Sequence, residues 1–191
     1  RLYLFDARRF SFRPVSNLPV GVAGDLRFSP NGGRLALTIS TPTSPGEVYV
    51  LELFRHGRYP GRLRQWSSGS VDDLSPEELI VPALGSVPAI GLTPDATLYV
   101  PQFIYRPDSN ARSKAPHPVV IYIHGGPEDQ FRPGFNAMVQ MWASEMGVAV
   151  LAPNVRGSLG YGRDYLALDD GKEREAAVQQ VARQRMQHRA R

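Results

Sequence analysis

The chain has 191 residues, 42% of them hydrophobic, with 18 glycines, 17 prolines, no cysteine and a formal net charge of +4. Without cysteine, disulfide frameworks, thiolate metal sites and cysteine nucleophiles are all excluded, and a reducing cytoplasm is the compartment we expect. The charge does not point to nucleic acid: Lys172, Arg174, Arg183, Arg185, Arg189 and Arg191 against Glu173 and Glu175 carry the whole of it in one terminal run. That run has neither interleaved aromatics nor a nucleic-acid module.

The chain opens on Arg1 rather than Met, so the natural N-terminus is expected to lie elsewhere. No charged-then-apolar leader is present, and the longest apolar runs, such as Pro118 to Ile123, are far too short to span a bilayer. A soluble protein with no membrane partner is expected.

Arg1 to Asp6 alternates Leu2 and Leu4 with Tyr3 and Phe5, which predicts a strand. Asp25 to Ile39 predicts a hairpin, with Leu26 and Phe28 before the turn, Leu35, Leu37 and Ile39 after it, and Asn31 and Gly32 supplying the positive φ of a tight turn. Gly46 to Leu53 adds a third strand after the loop Thr41 to Pro45. The stretch Phe28 to Leu37 resembles the repeated hairpin of β-propeller blades. A single blade cannot bury both faces, so neighbouring blades are implied upstream; the alternative is an isolated three-stranded sheet packed on the following domain. Arg55 to Ser75, rich in Gly, Ser, Arg and Pro, is expected to connect two domains. Trp66 within it is read as an ordinary buried aromatic. The expected division is a partial blade over 1–66, a linker over 67–78 and a second domain over 79–191.

Within the second domain, Leu79 to Leu84 and Thr97 to Tyr105 predict two strands around a Gly/Pro-bearing turn, followed by a polar loop from Arg106 to Pro116. The continuous β-branched run Pro118 to Ile123 predicts a strand covered on both faces. Gly134 to Met146 predicts a helix whose apolar stripe is Phe135, Met138, Val139, Trp142 and Met146, stopped by Gly147 at a C′ position. Val148 to Ala152 is the next buried strand. Strand, helix and strand within about 35 residues make a βαβ crossover, hence a parallel pair and an α/β fold class.

His124, Gly125, Gly126 and Pro127 stand where the first parallel strand ends. Paired glycines let a backbone turn its amides toward a ligand with no side chain in the way. His124 is read as a hydrogen-bonded structural histidine rather than a base or a ligand: no second metal ligand stands at usable spacing, and no metal is expected. Glu128 and Asp129 are expected to face solvent. Asn154 to Gly162 follows the second parallel strand at the edge where open α/β sheets place ligands. Its glycines are not spaced as a P-loop and no Lys-Ser/Thr follows, so no phosphate cofactor is expected. Ser158 lacks the first glycine of a nucleophile elbow, and Arg156 is expected to brace the loop by forking a carboxylate or backbone carbonyls.

Taken together, His124 to Pro127, the spacing to the helix, and Asn154 to Gly162 resemble the prolyl oligopeptidase family of serine peptidases, in particular its acylaminoacyl-peptidase and dipeptidyl-peptidase-like bacterial members. The resemblance runs from Leu79 to Glu175, and the propeller-like front agrees with it, because in this family a β-propeller caps an α/β-hydrolase domain. It implies the N-terminal half of an α/β-hydrolase domain preceded by the last blade of a propeller. It implies a peptide substrate cleaved through an acyl-enzyme, with no cofactor. Carried over by position, Gly125 and Gly126 are the oxyanion-hole candidates, while His124, Arg156, Gly157, Ser158 and Tyr161 form supporting scaffold. Some branches place a Tyr where His124 stands, so here a backbone amide is the better donor.

The nucleophile, acid and base of the family lie downstream of a helix beginning near Asp170. The chain contains no Gly-x-Ser-x-Gly, so a fragment truncated before the nucleophile and inactive by itself is expected. Gln179 to Arg191 carries only Val181, Ala182 and Met186 as a thin apolar stripe, and His188 is not assigned as the catalytic histidine. The other readings are an α/β-hydrolase esterase and a non-catalytic module that binds through its sheet and basic tail. Substrate preference, exo- or endopeptidase action and oligomeric state stay open.

Overall fold

A computed structural model describes residues 1–53, 61–69, 75–90, 97–107, 116–126, 128–171 and 175. Pro127, the turn between the strands ending and beginning near Ile90 and Thr97, most of the Arg106 to Pro116 loop, and the terminal stripe with His188 lie outside the described residues. The contacts divide the chain into two units: Arg1–Leu79 with Pro133–Asn136, and Ile80–Arg132 with Ala137–Arg191.

In the first unit, β1 (Tyr3–Asp6) pairs antiparallel with β2 (Ser11–Pro14). A four-stranded meander follows in the order β3 (Val22–Phe28), β4 (Arg34–Thr41), β5 (Ser44–Glu52), β6 (Leu63–Gln65), all antiparallel neighbours. The alternation of β4 works as its period demands: Leu35, Leu37 and Ile39 are buried while the residues between them are not. Each such side chain contributes about 1.5–3 kcal/mol by leaving water. They join Val15, Leu51 and Leu53 in the core, with Leu2, Leu4, Leu18 and Leu63 packed around them.

The β3–β4 turn departs from the expected two-residue form. Of the two turn residues only Gly32 takes a positive φ, +66°. Gly32 N–H closes on Ser29 O at 2.8 Å, and the Ser29 hydroxyl and Asn31 Oδ1 bond to each other at 2.8 Å, giving a longer loop built on a tight turn. Leu26 and Phe28, 40% and 61% exposed, do not join the core, because the pairing shifts register between Gly24 and Arg27 around Asp25 at φ +49°. β2 and β6 are additions to the sequence reading. Trp66 is 65% exposed rather than buried, although its amide donates to Val48 O at 2.7 Å.

In the second unit, β7 (Ala83–Ile90), β8 (Thr97–Tyr105), β9 (Val119–Ile121) and β10 (Ala149–Pro153) form one sheet in the order β7-β8-β10-β9. β9 and β10 are parallel and the other pairs antiparallel. The first strand begins later than Leu79, because Pro76–Glu78 form a 3-10 turn in which Ser75 N–H is capped by Glu78 Oε2 at 2.8 Å. β9 is an edge strand, not one covered on both faces, and Val119 is 46% exposed.

The crossover helix is shorter than its apolar stripe predicts. α1 spans only Ala137–Gln140 and continues as a π turn over Met141–Glu145, with Met146 N–H reaching Met141 O at 3.0 Å. The Ser144 hydroxyl donates to Gln140 O at 2.8 Å, a side-chain bond that competes with the regular ladder. The face turned inward is Val139, Gln140 and Ala143, while Met138 and Met146 are exposed. Gly147 ends the segment at φ +66°, as a C′ glycine does. The N-terminal part of the expected helix, with Phe135, belongs to the first unit, where Phe135 N–H donates to Ser40 Oγ at 2.9 Å. The second core is Tyr105, Phe131, Val139, Ala143, Val150 and Ala152. Among the described residues no helix is long and apolar enough to cross a membrane.

Candidate functional site

The parallel pair brings two segments together at its C-terminal edge: the turn after β9 and the loop after β10. The loop starts from Asn154, which is fully buried. Its backbone N–H donates to Pro101 O at 2.8 Å and so continues the sheet by one residue. Its side chain then faces the other segment: Phe131 N–H donates to Oδ1 at 2.7 Å, and Nδ2 donates to Phe131 O at 3.1 Å and to the Tyr161 hydroxyl at 2.7 Å. A buried amide with all these partners is stable where a half-satisfied one would not be.

Further along, Leu159 N–H donates to Asp129 O at 3.0 Å, and Gly157 N–H to Tyr165 O at 3.0 Å. Tyr165 lies on the short helix α2 (Arg163–Leu166), and its hydroxyl donates to Asn154 O at 2.7 Å. Burial pushes that phenol well above its ordinary range, the Tyr161 ring adds to the shift, and the Arg156 guanidinium opposes it. Gly157 and Gly160 adopt φ of +85° and +89°. A Cβ on Gly157 would stand 2.3 Å from Asp169 Cβ, so a close approach as well as the backbone demands glycine there.

His124 is half-buried and makes two contacts. Its Nδ1 lies 2.7 Å from Gly125 O and its Nε2 lies 2.8 Å from Ser158 Oγ. Ser158 is fully buried and donates its hydroxyl to Val155 O at 2.6 Å. A serine beside an imidazole is the arrangement of a nucleophile and its base. Here burial keeps the hydroxyl from any substrate, and the Val155 carbonyl takes its hydrogen. Gly125 and Gly126 are exposed, and a Cβ on Gly125 would meet nothing within 4 Å. Glu128 and Asp129 are exposed as well. Arg156 is buried at 4% exposure. Among the described residues no group of three His, Asp or Glu side chains could hold a metal ion.

The structure thus joins His124 to Ser158 and places Tyr161 on the Asn154 amide. Asn154 and Tyr165 were not singled out from the sequence, although Asn154 opens the glycine-rich loop and Tyr165 stands eleven residues beyond it. A buried asparagine directly after a β strand, bonding both ways to one distant residue, leaves no periodic trace in a sequence.

No family model matches the chain. Over 34% of its length it is 35% identical to dipeptidyl aminopeptidase BIII of Pseudoxanthomonas mexicana, and over 38% it is 40% identical to the acylamino-acid-releasing enzyme of Mus musculus. It spans 9% and 11% of those two proteins. Among solved structures it superposes on puromycin hydrolase with a TM-score of 0.68 at 24% identity, covering 89% of this chain and 24% of that one. The sheets described above therefore share the fold of the matching part of that structure, and all three of these proteins are several times longer than this chain. Together these likenesses support a member of the prolyl oligopeptidase family.

Proposed function

We propose that the chain is part of a serine peptidase that cleaves short peptides through an acyl-enzyme, and that it supplies the oxyanion-side wall of the active site. In this reading β3 to β6 are the last blade of a propeller, and the second unit is the N-terminal half of an α/β-hydrolase domain. The blade reading is supported by the meander order and by the exposed Phe5, Phe12 and Phe28 on the first unit, which suit a neighbouring blade. The hydrolase reading is supported by the parallel β9–β10 pair with both loops at its C-terminal edge, the position of ligand sites in open α/β sheets.

The observation that carries the proposal is the pair of exposed glycines in the turn that follows β9, beside a loop laced down by Asn154. Such a turn can offer a fixed N–H about 3 Å from a developing oxyanion. The nucleophile, acid and base of this mechanism are not assigned to any residue of the chain, which by itself is inactive on this reading. A fluorophosphonate probe tests the assignment: the 191-residue chain should remain unlabelled, and stoichiometric labelling of any serine in it would sink the reading. A protein that carries this chain together with a Gly-x-Ser-x-Gly segment should hydrolyse acylated or short peptides faster than simple esters. The reverse preference would favour the esterase alternative.

A further inference from the structure

The β1–β2 hairpin has two unlike faces. Leu4 stands opposite Arg13 and Asp6 opposite Ser11, and all four are half-buried, whereas Phe5 and Phe12, paired between them, are exposed on the other face. Those two rings lie 4.8 Å apart, and a blade packed on them leaves the half-buried face its own contacts. A cavity of about 620 Å³ opens there, lined by the segment Leu4 to Arg9, by Arg13, and by Phe28, Gly32 and Leu53 of the meander. Every lining residue belongs to the first unit, and the volume is that of a small-molecule site.

The lining is divided in character. Leu4, Ala7, Phe28 and Leu53 give it apolar walls, and Leu53 is 4% exposed. Arg8, Arg9 and Arg13 set three guanidinium groups against the one carboxylate of Asp6, a net charge of +2. That carboxylate is engaged within its own turn: Asp6 Oδ1 accepts from Arg8 N–H at 2.9 Å and from Arg9 N–H at 3.1 Å. The Arg9 and Arg8 amides foremost, with the Arg9 and Arg13 charges adding to them, hold its carboxyl below the ordinary range. Phe10, beside Arg9, adopts φ +49°, a left-handed conformation uncommon for a bulky side chain, and its ring meets Phe5 edge-on at 6.3 Å. Strained backbone of this kind clusters at sites that hold ligands.

An excess of guanidinium beside apolar walls selects a ligand class. The guanidinium fork matches a carboxylate through two parallel hydrogen bonds, and the walls gain from covering an apolar body. A compact hydrated dianion such as inorganic phosphate has nothing to bury against them. We propose that this cavity binds a carboxylate attached to an apolar group, carried by a free acid or by the carboxyl end of a short peptide with an apolar last residue. The site lies in the first unit and is independent of the peptidase reading.

The measurement is NMR titration of the 15N-labelled 191-residue chain with phenylbutyrate, with acetyl-Gly-Phe, with the primary amide of each, and with inorganic phosphate. The acids should shift the amides of Leu4 to Arg9 together with Gly32 and Leu53, and bind about tenfold more tightly than their amides, as charge-assisted hydrogen bonds require. Arg8→Gln with Arg9→Gln, on an exposed turn, should weaken both acids by about tenfold or more. Asp6→Asn keeps an oxygen for the two turn amides but removes the opposing charge, so it should tighten binding about threefold to tenfold. Phe28→Ala should weaken the acids through the lost apolar wall. Binding of either acid supports the site, and the stronger of the two names the source of the carboxylate. Amides or phosphate that bind as well as the acids, shifts that fall elsewhere, or affinities unchanged by R8Q with R9Q overturn it. If D6N fails to fold, the arginine and phenylalanine variants decide alone.

Discussion

Asn154 and Phe131 are joined by two hydrogen bonds, Phe131 N–H to Asn154 Oδ1 at 2.7 Å and Asn154 Nδ2 to Phe131 O at 3.1 Å. The pair fastens the loop after β10 to the segment that follows the glycine turn. Asn154→Asp tests how much of the site depends on it. The carboxylate keeps the shape but sets an acceptor against the Phe131 carbonyl, inside a position with no exposure. We expect a loss of about 3 kcal/mol in urea unfolding, from an unpaired buried acceptor and an unpaired buried charge. A loss under about 0.5 kcal/mol would mean that Leu159 and Asp129 hold the two segments together without Asn154.

Two tyrosines, Tyr165 half-buried and Tyr105 fully buried, separate a made hydrogen bond from an unmade one. The Tyr165 hydroxyl donates to Asn154 O, so Tyr165→Phe leaves a buried carbonyl short of its donor and should cost about 1–2 kcal/mol. Tyr105 is 1% exposed, its hydroxyl has no partner among the described residues, and burial pushes its pKa up to about 12. Tyr105→Phe should therefore be neutral or stabilising by up to about 1 kcal/mol. Equal losses in the two variants, measured by thermal or urea unfolding, would contradict the assignment of partners.

The contrast between these tyrosines shows what a linear sequence does and does not disclose. Leu35, Leu37 and Ile39 announce β4 because alternation is a local consequence of the pleat, and Gly147 announces the end of the crossover segment because only a positive φ serves there. The helix preceding Gly147 is misjudged because its stripe competes with a partner 95 positions away: Ser40 takes the Phe135 amide, and the chain over Pro133–Asn136 joins the first unit. Exposure of β9 was equally illegible, since β-branched residues suit an edge as well as a centre. At the site, the glycines at 125, 126, 157 and 160 could be found from their spacing. The linkage of His124 to Ser158 across 34 residues could not, because neither residue type prefers the other in any local pattern.

Three glycines with different surroundings should respond differently to alanine. Gly157 combines φ +85° with a Cβ position 2.3 Å from the Asp169 Cβ, so Gly157→Ala should cost about 2–4 kcal/mol. Gly160 has φ +89°, but its nearest obstacle is the end of the Gln130 side chain at 2.8 Å, which can turn aside, so Gly160→Ala should cost about 1–2 kcal/mol. Gly125 has neither restriction, and Gly125→Ala should leave stability within about 0.5 kcal/mol while placing a methyl on the exposed turn. If G125A unfolded the chain as G157A does, the turn would be structural and its role as an open wall would fall.

Acid should weaken the first unit through Glu47. Its carboxylate is 5% exposed and accepts from Ser67 Oγ, from Gly69 N–H at 2.7 Å and from Ser44 Oγ at 3.2 Å. The Ser67 hydroxyl foremost, then the Gly69 amide, hold its pKa below the ordinary value of 4.5, against the opposing effect of burial. A carboxyl whose folded value is depressed stabilises the fold fully above its unfolded value, and that contribution fades as pH falls through the folded one. Stability should therefore decline from about pH 5 downward, as the unfolded chain takes up a proton that the folded chain resists. Glu47→Gln removes the titration: the variant should be less stable than wild type at pH 7, and the difference should shrink as the pH approaches 3. A constant difference across that range, read from urea midpoints at each pH, would show that the carboxylate matters only as a shape between Ser44, Ser67 and Gly69.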